Sequence, residues 1–119
     1  MPSRRPKPCP AKASLQSRPL MSEEFSQDVE ALFEVLANDS RLRLLHQIAR
    51  EGEICTSDLA AAVDMKPQAV SNQLKRLHDK RIVGSRRDGN NVFYRIIDNC
   101  VIELMERAIC LVEEGIADR

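Results

Sequence analysis

The chain contains no tryptophan and only four other aromatic residues, Phe25, Phe33, Phe93 and Tyr94. Its core must therefore be built from leucine, isoleucine, valine and alanine. No apolar run approaches the roughly eighteen residues of a membrane span, and the N-terminus lacks the apolar stretch of a signal peptide. These absences point to a cytoplasmic protein with no membrane partner. The four cysteines, Cys9, Cys55, Cys100 and Cys110, match no zinc-finger or Cys-x-x-Cys spacing. In a reducing compartment they read as free thiols, metal ligands or redox sensors rather than structural bridges. A nucleophile–base pair and a glycine-rich phosphate loop are both missing, so the sequence does not read as an enzyme.

Net charge is missing too, because 18 Lys and Arg balance 18 Asp and Glu. The balance hides a segregation. From Lys66 to Arg95 there are eight Lys or Arg against Asp79 and Asp88, a local charge of +6, whereas residues 22–65 carry ten acids against Arg41, Arg43 and Arg50. A basic face on a neutral chain is what a nucleic-acid partner requires. Residues 1–20 hold five of the six prolines, five basic residues and no acid, and read as a disordered basic arm ahead of one domain, 21–119. Met21 followed by Ser22, Glu23 and Glu24 also resembles a protein start, so translation from Met21 instead of Met1 is an open alternative.

Ser22 predicts a helix cap with acids in the first turn, and Phe25, Val29, Leu32, Phe33 and Leu36 recur at helical spacing to about Ala37. Asn38-Asp39-Ser40 predicts the cap of a second helix with an apolar face at Leu42, Leu45, Ile48 and Ala49, ended by Glu51-Gly52. Ile54 fits a short strand or extended link. A third helix is expected from a Thr56 cap, burying Leu59, Ala62 and Val63.

Asp64-Met65-Lys66-Pro67 then breaks the chain before a fourth helix, whose proline suits a first helical turn. Val70, Leu74 and Leu77 line one side of that helix, so helices three and four form a helix-turn-helix. The other side carries Gln68, Ser71, Asn72, Lys75, Arg76 and Asp79, and Gln73 is a further candidate DNA contact. Amides, hydroxyls and positive charges are the groups that reach base edges and phosphates in a major groove. Lys66, a poor capping residue, leaves the N–H groups of this helix end for an anion such as a DNA phosphate.

Two extended runs, Ile82 to Arg87 and Val92 to Ile97, flank Asp88-Gly89-Asn90-Asn91 and predict a β-hairpin. After a helix-turn-helix such a hairpin is a wing, and Arg86, Arg87, Asn90 and Asn91 are its candidate contacts to the DNA backbone or minor groove. A last helix from about Asn99 to Gly115 carries a heptad seam, Ile102, Met105, Ile109, Val112 and Ile116, and a second stripe, Val101, Leu104, Ala108 and Leu111. One stripe packing on the core and the other left bare predicts a homodimer through the first and last helices. Overall the expectation is a mainly α winged helix-turn-helix, five helices plus two strands.

Leu36 to Leu45 is similar to the L-A-D-P-x-R-L-R-I-L pattern of the ArsR/SmtB family of winged-helix, metal-responsive repressors. Glu53 to Ala60, Ala69 to Leu74 and Arg86 to Tyr94 extend that resemblance, which covers about residues 25–115. It implies operator binding to double-stranded DNA by a homodimer and release when an inducer, usually a metal ion, binds. It also implies two site locations. At helix three, Cys55 stands on the family's E-L-C-V-C-D-L pattern, Ser57 replaces the second cysteine, and Cys9 of the arm is the family-type partner. On the last helix, Asp98, Cys100 and Glu114 fall on three ligand positions, Leu111 replaces the fourth, and Cys110 lies beside it. Cys100 and Cys110 are about 15 Å apart along one helix, so they converge only across an antiparallel helix pair in a dimer. Cysteine in place of histidine favours Cd(II), Pb(II), Hg(II), Cu(I) or As(III), with Zn(II) still accommodated. Such an ion would be an inducer, and none is needed for folding. Cysteine-based sensing of oxidants or reactive sulfur is the alternative. His46 and His78 have no ligating partner in register and read as solvated side chains.

Overall fold

The computed structural model describes residues 6–8 and 12–115. Five helices and three strands follow in the order α1 (Glu23–Leu36), α2 (Asp39–Glu51), β1 (Ile54–Cys55), α3 (Thr56–Val63), α4 (Pro67–Asp79), β2 (Val83–Asp88), β3 (Asn91–Ile96) and α5 (Asn99–Glu113). Ser22 caps α1 by accepting from the Phe25 amide, Asn38 caps α2 from Arg41, and Asp98 caps α5 from Cys100. Each satisfies an amide that the first helical turn leaves without a partner. The cap of α3 lies at Cys55 and makes no side-chain hydrogen bond, so the expected Thr56 cap is displaced by one residue.

The turn between α3 and α4 closes with Asp64 in the left-handed region, at φ 56° and ψ 49°. Its amide and that of Met65 reach back to the Ala61 and Ala60 carbonyls. The end of α4 repeats this device. Arg81 has φ 60°, its amide donates to His78, and the Ile82 amide donates to Leu77, 2.9 and 3.0 Å away. That is a Schellman closure with a non-glycine residue at its left-handed position and an apolar residue after it.

The sheet order is β1-β3-β2, antiparallel throughout, with Val83 opposite Ile96 and Asp88 opposite Asn91. The third strand comes from the segment around Ile54, which pairs with Tyr94 and ties the entry of α3 to the wing. Gly89, at φ 63°, opens the two-residue turn between β2 and β3 in a conformation that a side chain would strain.

The core joins Leu36, Leu44, Leu45, Ile48, Ile54, Leu59, Ala60, Val63, Val70, Leu74, Leu77, Ile82, Val83 and Ile96. The expected face of α4 is therefore met in full and those of α2 and α3 in part, with Leu45, Ile48, Leu59 and Val63 inside as expected. Leu44 and Ala60 are inside, and Leu42, Ala49 and Ala62 face out. The stripes of α5 do not divide as expected. Val101, Ile102, Leu104 and Met105 pack against the core from both stripes, whereas Ile109, Leu111 and Val112 are bare. The division runs across the length of the helix, because only its first half lies over the domain; Ile116 lies outside the described residues. The part of the arm that is described contributes a short 3-10 turn at Leu15–Ser17 and a parallel bridge between Lys7 and Asp98. Among the described residues no helix is long and apolar enough to cross a membrane.

Candidate nucleic-acid interface and cysteine sites

Val70, Leu74 and Leu77 are fully buried, and their anchoring decides which side of α4 faces outward. Lys66, Gln68, Ser71, Asn72, Lys75 and Arg76 are all exposed there. Gln68 donates to Asn72 at 3.1 Å, one turn along, so the two amides hold one another on the outer surface. Lys66 is extended, as a residue before proline must be, and makes no side-chain cap hydrogen bond. Arg87, Asn90 and Asn91 are exposed on the wing. Six of these nine exposed residues lie on α4 or at its start and three on the wing, and they are basic or amide- and hydroxyl-bearing.

Two other expected DNA contacts are held elsewhere. Gln73 is half-buried, and its carbonyl oxygen accepts from the Arg41 Nε at 2.7 Å. Arg86 turns back from the wing onto Glu53. Its Nε and one terminal nitrogen lie 2.9 and 2.7 Å from Glu53 Oε1, with Asp88 at 3.7 Å and the Phe93 ring 4.6 Å beneath the guanidinium. The hydrogen bond to Glu53, and then the nearby charges of Glu53 and Asp88, push the Arg86 pKa still higher, so it stays charged at every accessible pH. A sequence reading cannot see this pair because its members are separated by the whole helix-turn-helix. It forms only once β1 joins the wing.

The cysteines separate by burial. Cys55 is buried, 3.4 Å from the Ser57 hydroxyl, and opposite Phe93 in the sheet. A buried thiol behaves as a small hydrophobe. Cys9, its expected partner, lies outside the described residues. Cys100 stands half-buried in the first turn of α5 and is disulfide-bonded, so it becomes a metal ligand only after reduction. Asp98 spends a carboxylate oxygen on the Cys100 amide at 2.8 Å as the helix cap. Cys110 is a free thiol, exposed on the bare half of α5, and Glu114 is exposed one turn further on. Among the described residues no three potential ligands converge within one chain. His46 and His78 are exposed, and His46 borders an apolar groove.

That groove, of about 540 Å³, runs between α1, α2 and α5 and is lined chiefly by Phe33, Leu36, Leu42, Leu104, Ile109 and Val112. It is continuous with the bare half of α5.

The profile described as "Bacterial regulatory protein, arsR family" matches residues 38–85, from the cap of α2 into the wing. A "Transcriptional repressor SmtB homolog" of Synechocystis is 45% identical over 85 residues, 71% of this chain and 64% of that protein, so the match spans just under two thirds of that relative's length. The "HTH-type transcriptional regulator NmtR" of Mycobacterium tuberculosis is 37% identical over 106 residues, 87% of each chain. Among solved structures, that of "the AntR antimony-specific transcriptional repressor" superposes with a TM-score of 0.78 at 55% identity, covering 92% of this chain and 99% of that one.

Proposed function

Because the chain belongs to the ArsR family of bacterial regulatory proteins, we propose that it is a homodimeric repressor that binds operator DNA through α4 and the wing and lets go when a trivalent metalloid, antimony or arsenic, binds thiolates of α5. The observation that carries the DNA reading is the two-sidedness of α4. Its Val70, Leu74 and Leu77 side is sealed in the core, so Gln68, Ser71, Asn72, Lys75 and Arg76 are presented together under a local charge of +6. Ser71 and Asn72 act as base readers, and Lys66, Lys75, Arg76, Arg87, Asn90 and Asn91 hold phosphates.

The donors fit a soft acceptor that is shared between subunits. Cys110 is free and lies on the same bare half of α5 as the apolar face that a second copy would cover. Once its disulfide is reduced, Cys100 of one chain meets Cys110 or Glu114 of the other across an antiparallel pair of α5 helices. A trivalent metalloid supplies an acceptor that thiolates bind strongly, and the antimony-specific repressor that this chain resembles supports the choice. The chain's own part is to keep Cys110 accessible and Cys100 at a capped, fixed helix start. Asp98 serves that start as its cap through one carboxylate oxygen.

Titration of a labelled duplex, selected by the protein from a random library, tests both halves. Six to ten phosphate contacts predict that affinity falls by ~10³–10⁵ between about 50 and 200 mM salt. Salt-independent binding to DNA would remove the DNA reading. Release by a persulfide or an oxidant, with none by metalloids, would favour the alternative of cysteine-based sulfur or redox sensing.

A further inference from the structure

Gln73 is an oddity on a DNA-reading helix. It lies one position past Asn72, yet its amide is drawn inward. An arginine has only donors to offer, so the Gln73 carbonyl oxygen is the end that faces Arg41. The second hand of the same guanidinium donates to the Val35 carbonyl at 2.8 Å, in the last turn of α1. There the helix leaves its carbonyls without amide partners and carries partial negative charge, which a cation satisfies. Arg41 is itself fixed at the start of α2, where Asn38 accepts from its backbone amide at 3.0 Å. One planar, half-buried side chain thus holds three helices.

The position of this clamp matters more than its strength. Among the described residues, the Arg41–Gln73 contact is the one side-chain hydrogen bond joining α4 to another element. On its own chain α1 is buried only at Leu36, and Phe25, Leu32 and Phe33 are left exposed. The helix held at Val35 is therefore the one whose placement a second copy would decide.

We infer that Arg41 is a positioning residue that sets the angle of the recognition helix from the placement of α1, with Gln73 as its handle and not as a base reader. The inference deepens the DNA-binding reading and rests on it. Whatever shifts α1 at its Val35 end shifts Gln73 through the same guanidinium, because both bonds run to one rigid plane. Lysine at this place offers one point charge and holds one partner at a time.

The test uses the full chain, with the duplex that the wild-type protein enriches from a random-sequence library. Arg41→Ala, Arg41→Lys and Gln73→Ala are each expected to lower affinity by roughly tenfold, as loss of a charge-assisted hydrogen bond implies. The salt slope should stay that of the wild type, since no phosphate contact is lost. The double variant Arg41→Ala with Gln73→Ala should be no weaker than the worse single variant. Gln73→Glu is the sharpest arm. A carboxylate facing Arg41 should retain wild-type affinity, whereas one facing DNA would be repelled. Loss of binding by Gln73→Glu with an altered salt slope, or multiplicative losses in the double variant, overturns the inference. If Arg41→Ala does not fold, the Gln73 variants carry the same test. NMR of the free protein separates this failure from that of the DNA reading. The Arg41 Nε–H signal should be protected from exchange and shift in Gln73→Ala. A signal that does not change refutes the clamp, whereas a protein that enriches no duplex refutes DNA binding itself.

Discussion

Replacing Ile109 by glutamate should dissociate the proposed dimer. Ile109 is 45% exposed, Val112 66% and Phe33 51%, although all three line one apolar groove. Covering the exposed half of an isoleucine is worth roughly 1 kcal/mol, from ~1.5–3 kcal/mol for full burial. A two-fold interface counts it twice, so the lost apolar contribution alone is about 2 kcal/mol, or roughly thirtyfold in the dimer dissociation constant. Two carboxylates carried into the same contact add a further cost, because an unpaired charge resists leaving water. Sedimentation equilibrium over a concentration series reads the constant directly. Glu106→Gln, on an exposed face of the same helix and outside the groove, is the control and should leave it unchanged. A dissociation constant for Ile109→Glu equal to that of the wild type would refute this placement of the interface. So would a wild-type chain that sediments as a monomer throughout.

The remaining predictions concern the DNA-reading unit. Arg81→Gly should raise the thermal midpoint, because Arg81 holds φ 60° in the Schellman closure of α4 and glycine relieves a cost of ~1 kcal/mol there; a lowered midpoint would show that its side chain contributes more than its backbone costs. Leu74→Ala should cost about 2–5 kcal/mol in urea unfolding, since Leu74 is fully buried where α4 meets the core; a loss under ~1 kcal/mol would mean that α4 is not anchored there. Arg86→Ala should speed amide exchange in β2 and β3 while leaving the salt slope of duplex binding alone, because its charge is turned to Glu53; a slope reduced by about one unit would return Arg86 to the phosphate contacts.

Periodicity made α4 legible to the residue, because Val70, Leu74 and Leu77 leave one choice of buried side. It placed Leu45, Ile48, Leu59 and Val63 of α2 and α3 but not the edges of those faces, where only packing chooses between Leu42 and Leu44, or Ala60 and Ala62. The wing was readable from Gly89 between two extended runs. Its third strand was hidden in a two-residue segment, too short to show alternation, whose pairing depends on β3. Side-chain type alone assigned Arg86 and Gln73 to DNA. Their partners, Glu53 and Arg41, lie 33 and 32 residues away in sequence and are brought near only by folding. The two apolar stripes of α5 were visible, but not where along its length the domain stops supporting them.

In the proposed function, α5 thiolates govern an α4 that reads DNA. Fluorescence anisotropy of the selected duplex, with protein kept reduced by a phosphine, tests it most directly. Trivalent antimony and arsenic should release the wild-type protein from the duplex and leave Cys100→Ser and Cys110→Ser bound, with Cys55→Ser released like the wild type. Equal release of all four proteins, or release of none by either metalloid, would contradict it.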